Sequence, residues 1–366
     1  MTIIQYLASP FWGGGEQFVY SLAKQLVERY HHTLIFICQP NTDKRMQERF
    51  RAIGQTITLK PTTKNGKFSF QTAYQLSQII DKNNAHVLHV HEMKDYFVCA
   101  YAKILCHKNL RLIGTVHIIR PAKNKSSWRW AYRQFDKITF VSNLAKDTFL
   151  FSLRNTKNNI STQVIYNSIA SSSVLSSSTD IYSRYRVTPK DVIILYHGRV
   201  CAEKGILQLL PHLRDLMHLP IQIFIAGFGN ETDIDYIQRL SAEVPFKGKV
   251  HYIGFQYDMS PFLVHADIGL VPSIVPEAGG PLALLEHLQA GNPVISSDNG
   301  SQPEYITHGE EGFLCKPMDY AHWKDYIQQL VEDDALRAEM AIKARQRFQK
   351  AFSYTLLLNK IVALYE

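Results

Sequence analysis

The sequence predicts an α/β protein made of two doubly wound, Rossmann-like domains in tandem. Three observations carry this. Short apolar runs alternate with stretches of helical spacing, the rhythm of β-α-β units. The runs are continuous rather than alternating, as parallel strands covered on both faces require. The rhythm is broken once, by the Ser-rich segment SIASSSVLSSST at 168–179, and then restarts. At roughly 150 residues per domain, 366 residues also suit two domains.

In the first half, TIIQYLA (2–8) is the first strand, glycines follow at 13–15, and QFVYSLAKQLVERY (17–30) has the apolar spacing of a helix. HTLIFICQ (32–39), AHVLHVH (85–91), LRLIGTVH (110–117) and KITFVS (137–142) read as further strands. After the linker come VIILYHGR (192–199), IQIFIAG (221–227), KVHYIG (249–254), DIGLVPS (267–273), NPVISSD (292–298) and EGFLCKP (311–317), each before a turn or helix. The tail FSYTLLLNKIVALYE (352–366) is an amphipathic helix.

Composition narrows the class. With 46% hydrophobic and 20% charged residues the chain is an ordinary globular protein. No apolar run reaches the ~18 residues of a membrane span, and the N-terminus lacks the basic and long apolar regions of a signal peptide. Five scattered cysteines without a CxxC pair point to a reducing compartment and to neither a disulfide framework nor a zinc site. The net charge of +8 is unevenly distributed: residues 1–170 hold 23 Lys and Arg against 9 Asp and Glu, net +14, and the rest hold 17 against 23, net −6. A basic half joined to an acidic half expects an anionic surface on one side only, nucleic acid or the inner leaflet of a membrane.

Ligands of open parallel sheets bind beyond the carboxyl ends of the strands, and the unusual residues lie there. In SPFWGGGEQ (9–17), Gly13, Gly14 and Gly15 separate a strand from a helix, which lets a ligand reach the backbone; a tight turn with no ligand is the plain reading. In HGRVCAEKGI (197–206), Arg199 offers a planar fork of donors and Lys204 a point charge, a pair suited to a diphosphate, or an ordinary charged turn. In PEAGGPLALLEHLQAG (276–291), Pro281 suits the first helical position, and Gly279 and Gly280 leave the N–H groups before it bare for phosphate oxygens. Glu286, just over a turn in, suits a ribose diol, and Glu277 suits sugar hydroxyls; a buried helix with a capping Glu is the alternative. His117 ends a strand. His89 and His91 alternate on one, a spacing compatible with a metal, but no third ligand is apparent, and core or solvated histidines are the plainer reading. Gly227 begins a G-x-G after a strand, without the acid a nicotinamide site needs. Finally, Lys123, Lys125, Arg129 and Arg133 interleave with Trp128 and Trp130, a mixture suited to a headgroup interface or to a solvated helix packing its aromatics on the sheet. No nucleic-acid module is apparent.

Taken in order, these stretches resemble glycosyltransferase family 4, retaining enzymes of the GT-B fold. The resemblance runs from residue 2 to about 365, through SPFWGGGEQFVYSLAKQL, TVH, VSNLAKDTF, VIYNSI, ILYHGRVCAEKGI, IFIAGFGNE, EYITHGEEGFLCKP and, most specifically, the stretch from GFQYDM to NPVISSD. Eight residues lie between Glu277 and Glu286 where the family has seven, the surplus falling in the Ala278–Pro281 turn. The resemblance implies two domains facing across a cleft: an acceptor domain at 1–167, a nucleotide-sugar domain at 168–345, and a helix at 346–366 packing back on the first. It implies Arg199 and Lys204 on the donor diphosphate, backbone from Gly280 to Leu282 on its oxygens, Glu286 on the ribose, Glu277 on the sugar and His117 near the transferred hexose. Gly14 and Gly15 would admit substrate, with Gly227 also in the donor site. The implied activity is metal-independent hexosyl transfer, with no cofactor, from a UDP-linked rather than GDP-linked sugar to a glycan or polyprenyl-linked acceptor in surface-polysaccharide assembly. The enzyme would lie in the cytoplasm against the inner face of the membrane. A sugar-nucleotide epimerase and a non-catalytic nucleotide-sugar-binding subunit are the competing expectations.

Overall fold

The structure is a computed structural model that describes residues 1–7, 14–59, 63–64, 67–154, 159–169 and 181–366. The glycine loop through Gly13 and most of the Ser-rich linker therefore lie outside the described residues. The chain forms two compact units, Met1–Asn167 with Leu357–Glu366, and Ser168–Leu356.

The first unit is a parallel sheet of β1 (Thr2–Tyr6), β2 (Thr33–Cys38), β3 (Gln55–Thr58), β4 (Val87–Val90), β5 (Arg111–Val116), β6 (Lys137–Phe140) and β7 (Thr162–Val164), in the order β3-β2-β1-β4-β5-β6-β7. Four of these match the apolar runs that follow the first strand. The edge strands β3 and β7 do not stand out in sequence, because only partial burial is asked of them. Helix α1 (Gly14–Tyr30) starts earlier than its apolar spacing suggests, so Gly14 and Gly15 form its first turn rather than a loop before it. Helix α2 (Tyr96–Leu105) packs beside α3 (Ser126–Arg133). The core is apolar on both faces of the sheet, with Ile4, Leu88, Leu112 and Phe140 sealed from solvent; each such side chain contributes about 1.5–3 kcal/mol by burial.

The second unit is a six-stranded parallel sheet of β8 (Val192–His197), β9 (Ile221–Ala226), β10 (Val250–Gly254), β11 (Ile268–Val271), β12 (Val294–Ser297) and β13 (Gly312–Cys315), in the order β10-β9-β8-β11-β12-β13. Every one of the six runs after the linker is one of these strands. The order reverses direction between β8 and β11, which opens a crevice at their carboxyl ends. Helix α4 (Ile206–His212) follows β8 and helix α5 (Leu282–Ala290) follows β11.

Residues 346–356, joined to the returning helix in the sequence reading, belong to the second unit. Helix α6 (Asp334–Arg347) runs on into a π-helical turn at Phe348–Phe352, where Phe352 stacks on Tyr305 at 4.6 Å. Arg345 donates to the Ala290 carbonyl at 2.7 Å. Only the end of helix α7 (Tyr354–Tyr365) belongs to the first unit. There Arg111 donates to the carbonyls of Leu364 (3.2 Å) and Glu366 (2.7 Å), and Tyr365 enters the interior.

Candidate active site

The second unit brings together the loops after β8 and β11, neighbours across the crevice. After β8 the chain turns through Gly198 and a 3-10 turn at Ala202–Lys204. The Tyr196 hydroxyl donates to the Arg199 carbonyl at 2.5 Å and holds this turn to its own strand. Gly205 follows at φ 78°, and a Cβ there would collide with the carbonyl of Pro272, so the two loops touch backbone to backbone. The N–H of Ile274 donates to the Glu203 carbonyl at 2.8 Å and completes the stitch.

That stitching decides what Lys204 meets. Its ammonium donates to Glu277 Oε2 at 2.7 Å, with both side chains about four-fifths buried. The other carboxylate oxygen of Glu277 accepts from the Ser273 hydroxyl. Half-buried, charge-assisted pairs of this kind hold geometry better than exposed ones. Arg199 lies farther out, more than half exposed, and reaches Glu203 at 3.2 Å. Its guanidinium is weakly held.

The Gly-Gly-Pro turn differs from the sequence reading in two ways. Pro281 is the residue before the helix, extended at ψ 137°, and Leu282 opens α5. The N–H of Gly280 is not bare: it donates to Ser301 Oγ at 2.9 Å. The expected backbone donors from Gly280 to Leu282 therefore reduce to Leu282, joined by Ala283 as the next N–H of the first turn, and no described side chain caps this helix. Gly280 has φ 41°, and a Cβ there would lie 2.5 Å from the Tyr305 ring. This position absorbs the extra residue of the turn. Gly279 lies one step earlier in the same bend. The loop is also tied from the other side, since Ser301 N–H donates to the Glu277 carbonyl at 2.9 Å.

Glu286 points from α5 to His197 at the end of β8, Oε2 to Nε2 at 2.6 Å. His197 is nearly enclosed and Glu286 about one-third exposed, so one carboxylate oxygen is oriented from below while the group stays reachable. Gly227 serves the backbone itself: it has φ 147°, a Cβ would strike the Gly198 carbonyl, and its N–H bonds Gly254. His197, Ser273 and Ser301 escaped the sequence reading. Their only signal was position just past a strand.

In the first unit, His117 ends β5 partly exposed, its ring against Phe18 at 5.5 Å and His91 at 5.4 Å. His91 Nδ1 lies 3.1 Å from His117 Nε2, so the third histidine that the His89/His91 spacing lacked comes from the next strand. The three are joined to each other and to Gln5, Thr115 and Tyr365, and no described group of three or more His, Cys, Asp or Glu is placed to hold a metal ion. Burial pushes the imidazole of His117 down to about 4 and that of His89 to about 3, and drives His91 well below its ordinary value. A Cβ on Gly15 would meet nothing within 4 Å, so packing inside the chain does not demand glycine there.

The aromatic-basic stretch resolves into two layers. Trp128 packs on Phe97 (5.6 Å) under the Lys123 ammonium (4.2 Å), and Trp130 packs on Tyr101 (4.6 Å). These rings rest on α2 rather than on the sheet. Arg129 is tied to Asn124, while Lys123, Lys125 and Arg133 stay exposed. No described helix is long and apolar enough to cross a membrane.

Residues 12–171 match the family profile described as Glycosyltransferase Family 4, and residues 179–347 the profile described as Glycosyl transferases group 1. Over 377 residues the chain is 26% identical to an N-acetyl-alpha-D-glucosaminyl L-malate synthase of Bacillus anthracis, across 98% of this chain and 93% of that protein. Over 168 residues it is 27% identical to a lipopolysaccharide core biosynthesis glycosyltransferase of Rhizobium meliloti, across 45% of this chain and 47% of that protein, about half its length. In three dimensions it resembles Anabaena HepE, crystallised with UDP, at a TM-score of 0.79 and 19% identity over 99% of each chain.

Proposed function

Because the chain belongs to glycosyltransferase family 4 and has its GT-B fold, we propose that it is a retaining, metal-independent hexosyltransferase using a UDP-sugar. The observation that carries this reading is the contact of Lys204 with Glu277 beside an uncapped helix end. Cation, carboxylate and free N–H groups then converge where a sugar diphosphate needs all three. The N–H groups of Leu282 and Ala283 take diphosphate oxygens along the helix dipole. Lys204 and Arg199 neutralise its charge. Glu286, braced by His197, takes the ribose diol. Glu277, braced by Ser273 and Lys204, takes hydroxyls of the hexose. On the first unit, His117 offers a neutral imidazole to a sugar hydroxyl.

In the transfer, the bond from the anomeric carbon to the diphosphate oxygen breaks. The acceptor oxygen bonds the same carbon on the face the diphosphate leaves, so configuration is retained. The acceptor's proton goes to the departing phosphate oxygen. Stabilising that diphosphate supplies most of the rate.

The basic first half, with Lys123, Lys125 and Arg133 exposed above Trp128 and Trp130, supports a membrane-held glycan or glycolipid acceptor. The lipopolysaccharide relative points the same way. A second reading, with a small hydroxy acid as acceptor, is favoured by the malate synthase, the relative matched over nearly its whole length.

Two measurements test these readings. In thermal unfolding, UDP and UDP-hexoses should stabilise the protein more than GDP and GDP-hexoses, by about 2.7 kcal/mol at a hundredfold excess over Kd. No response to any nucleotide or nucleotide sugar would end the proposal. In vesicle sedimentation, phosphatidylglycerol vesicles should retain the protein and phosphatidylcholine vesicles should not. Lys123→Glu with Lys125→Glu should release it, at about 1 kcal/mol per cation removed. Equal retention on both vesicle types would remove the anionic surface from the account.

A further inference from the structure

Gln5, His89, Thr115 and Thr139 are polar side chains sealed inside a parallel sheet, where apolar residues belong. Burial of such groups costs about 1–3 kcal/mol each unless they are hydrogen-bonded. Here every one is bonded, and the bonds form a single line. Its direction follows from its inner end. The Gly114 carbonyl can only accept, so Thr139 donates to it at 3.2 Å and spends its one hydrogen. The 2.7 Å contact between Thr115 and Thr139 then uses the hydrogen of Thr115. Thr115 must in turn accept from His89 Nε2–H at 2.7 Å. His89 Nδ1 is left as an acceptor and takes the Tyr365 hydroxyl at 2.7 Å.

The line continues outward. Tyr365 accepts from the Gln5 amide nitrogen at 3.2 Å, which turns the amide oxygen toward His91. His91 donates to it from Nε2 at 2.8 Å. His91 Nδ1 therefore has only a lone pair for His117, 3.1 Å away, and His117 Nε2 must carry a hydrogen. The line ends at the partly exposed ring, whose Nδ1 has no hydrogen-bond partner among the described residues.

We propose that Tyr365 and Gln5 are positioning residues that lock His117 in the Nε2–H tautomer. The lock leaves Nδ1 as a fixed acceptor for a substrate hydroxyl; this last step rests on the transferase reading above. The lock requires every ring to be neutral, because an imidazolium has no accepting nitrogen and would break the line. The depressed pKa values of all three histidines meet that requirement. It also gives the last helix a task at the active site: a hydroxyl on the penultimate residue sets the proton on a histidine in another strand.

The test is nitrogen-15 NMR of histidine side chains in the full-length protein, which distinguishes the two neutral tautomers directly and needs no substrate. In the wild type, His89, His91 and His117 should all show the Nε2–H pattern near neutral pH. In Tyr365→Phe, Gln5 loses its anchor and is free to turn over, so His117 should become a mixture of tautomers. Should that variant not fold, Thr115→Val opens the line at its inner end and should give the same mixture. Turnover of the most stabilising UDP-sugar should fall about tenfold in kcat/KM, the loss of one hydrogen bond, with UDP affinity unchanged. An Nδ1–H pattern at wild-type His117, or an unchanged tautomer in Tyr365→Phe, overturns the proposal. So does a changed tautomer with undiminished turnover. A His117→Ala variant with wild-type turnover would instead refute the substrate role of His117, a separate failure that leaves the tautomer result standing.

Discussion

Lys204→Ala folds like the wild type and loses hexosyl transfer by about 10²–10³-fold, the usual effect of removing one preorganised donor from a developing charge. Folding survives because the ammonium's recorded ion pair is with Glu277, which keeps Ser273. The loss is large because Lys204 has two tasks. It places positive charge beside the uncapped end of α5, and it orients the carboxylate meant for the sugar. Arg199 cannot substitute: it is exposed and held only by Glu203. Stopped-assay turnover and UDP titration measure both effects, and both kcat and UDP affinity should fall. Near-wild-type turnover would remove Lys204, and with it the diphosphate assignment, from this site.

Gly205→Ala lowers stability by about 2–4 kcal/mol and abolishes transfer. Two causes add. The backbone is left-handed at φ 78°, and the new methyl would collide with the Pro272 carbonyl. The chain has no flexible side chain there to move aside, so the loop carrying Ser273 and Glu277 must shift, and the Lys204–Glu277 contact goes with it. Gly309→Ala is the control. It has φ 84° but nothing within 4 Å of the new methyl, so it should cost only about 1 kcal/mol, the strain alone. Denaturant unfolding of the two variants separates strain from collision. Equal costs would show that the two loops are not clamped.

Much of the fold is legible in the chain because a parallel strand is a local signal. An apolar run bounded by turn residues reads the same whatever lies beside it. All six strands of the second unit stand in the sequence for that reason. The edge strands Gln55–Thr58 and Thr162–Val164 are quieter because an edge buries less. The ends of helices are less legible. Gly14, Gly15 and Pro281 each lie one position or more from where propensity puts them, since a helix end is set by which carbonyls and hydroxyls are near. Ser301, 21 residues on, takes the Gly280 N–H that looks bare in sequence.

The sequence by itself determined the strands, the loops that follow them and the residue types those loops carry: Arg199, Lys204, Glu277, Glu286 and His117 were all visible. The tertiary structure alone decided their partners. Lys204 meets Glu277 across 73 positions and His197 meets Glu286 across 89. Tyr365 meets His89 across 276. The reason is physical: a strand's pattern depends on its own residues, whereas a hydrogen bond depends on the register of strands brought together by crossovers, and nothing in a short stretch of chain encodes that distance.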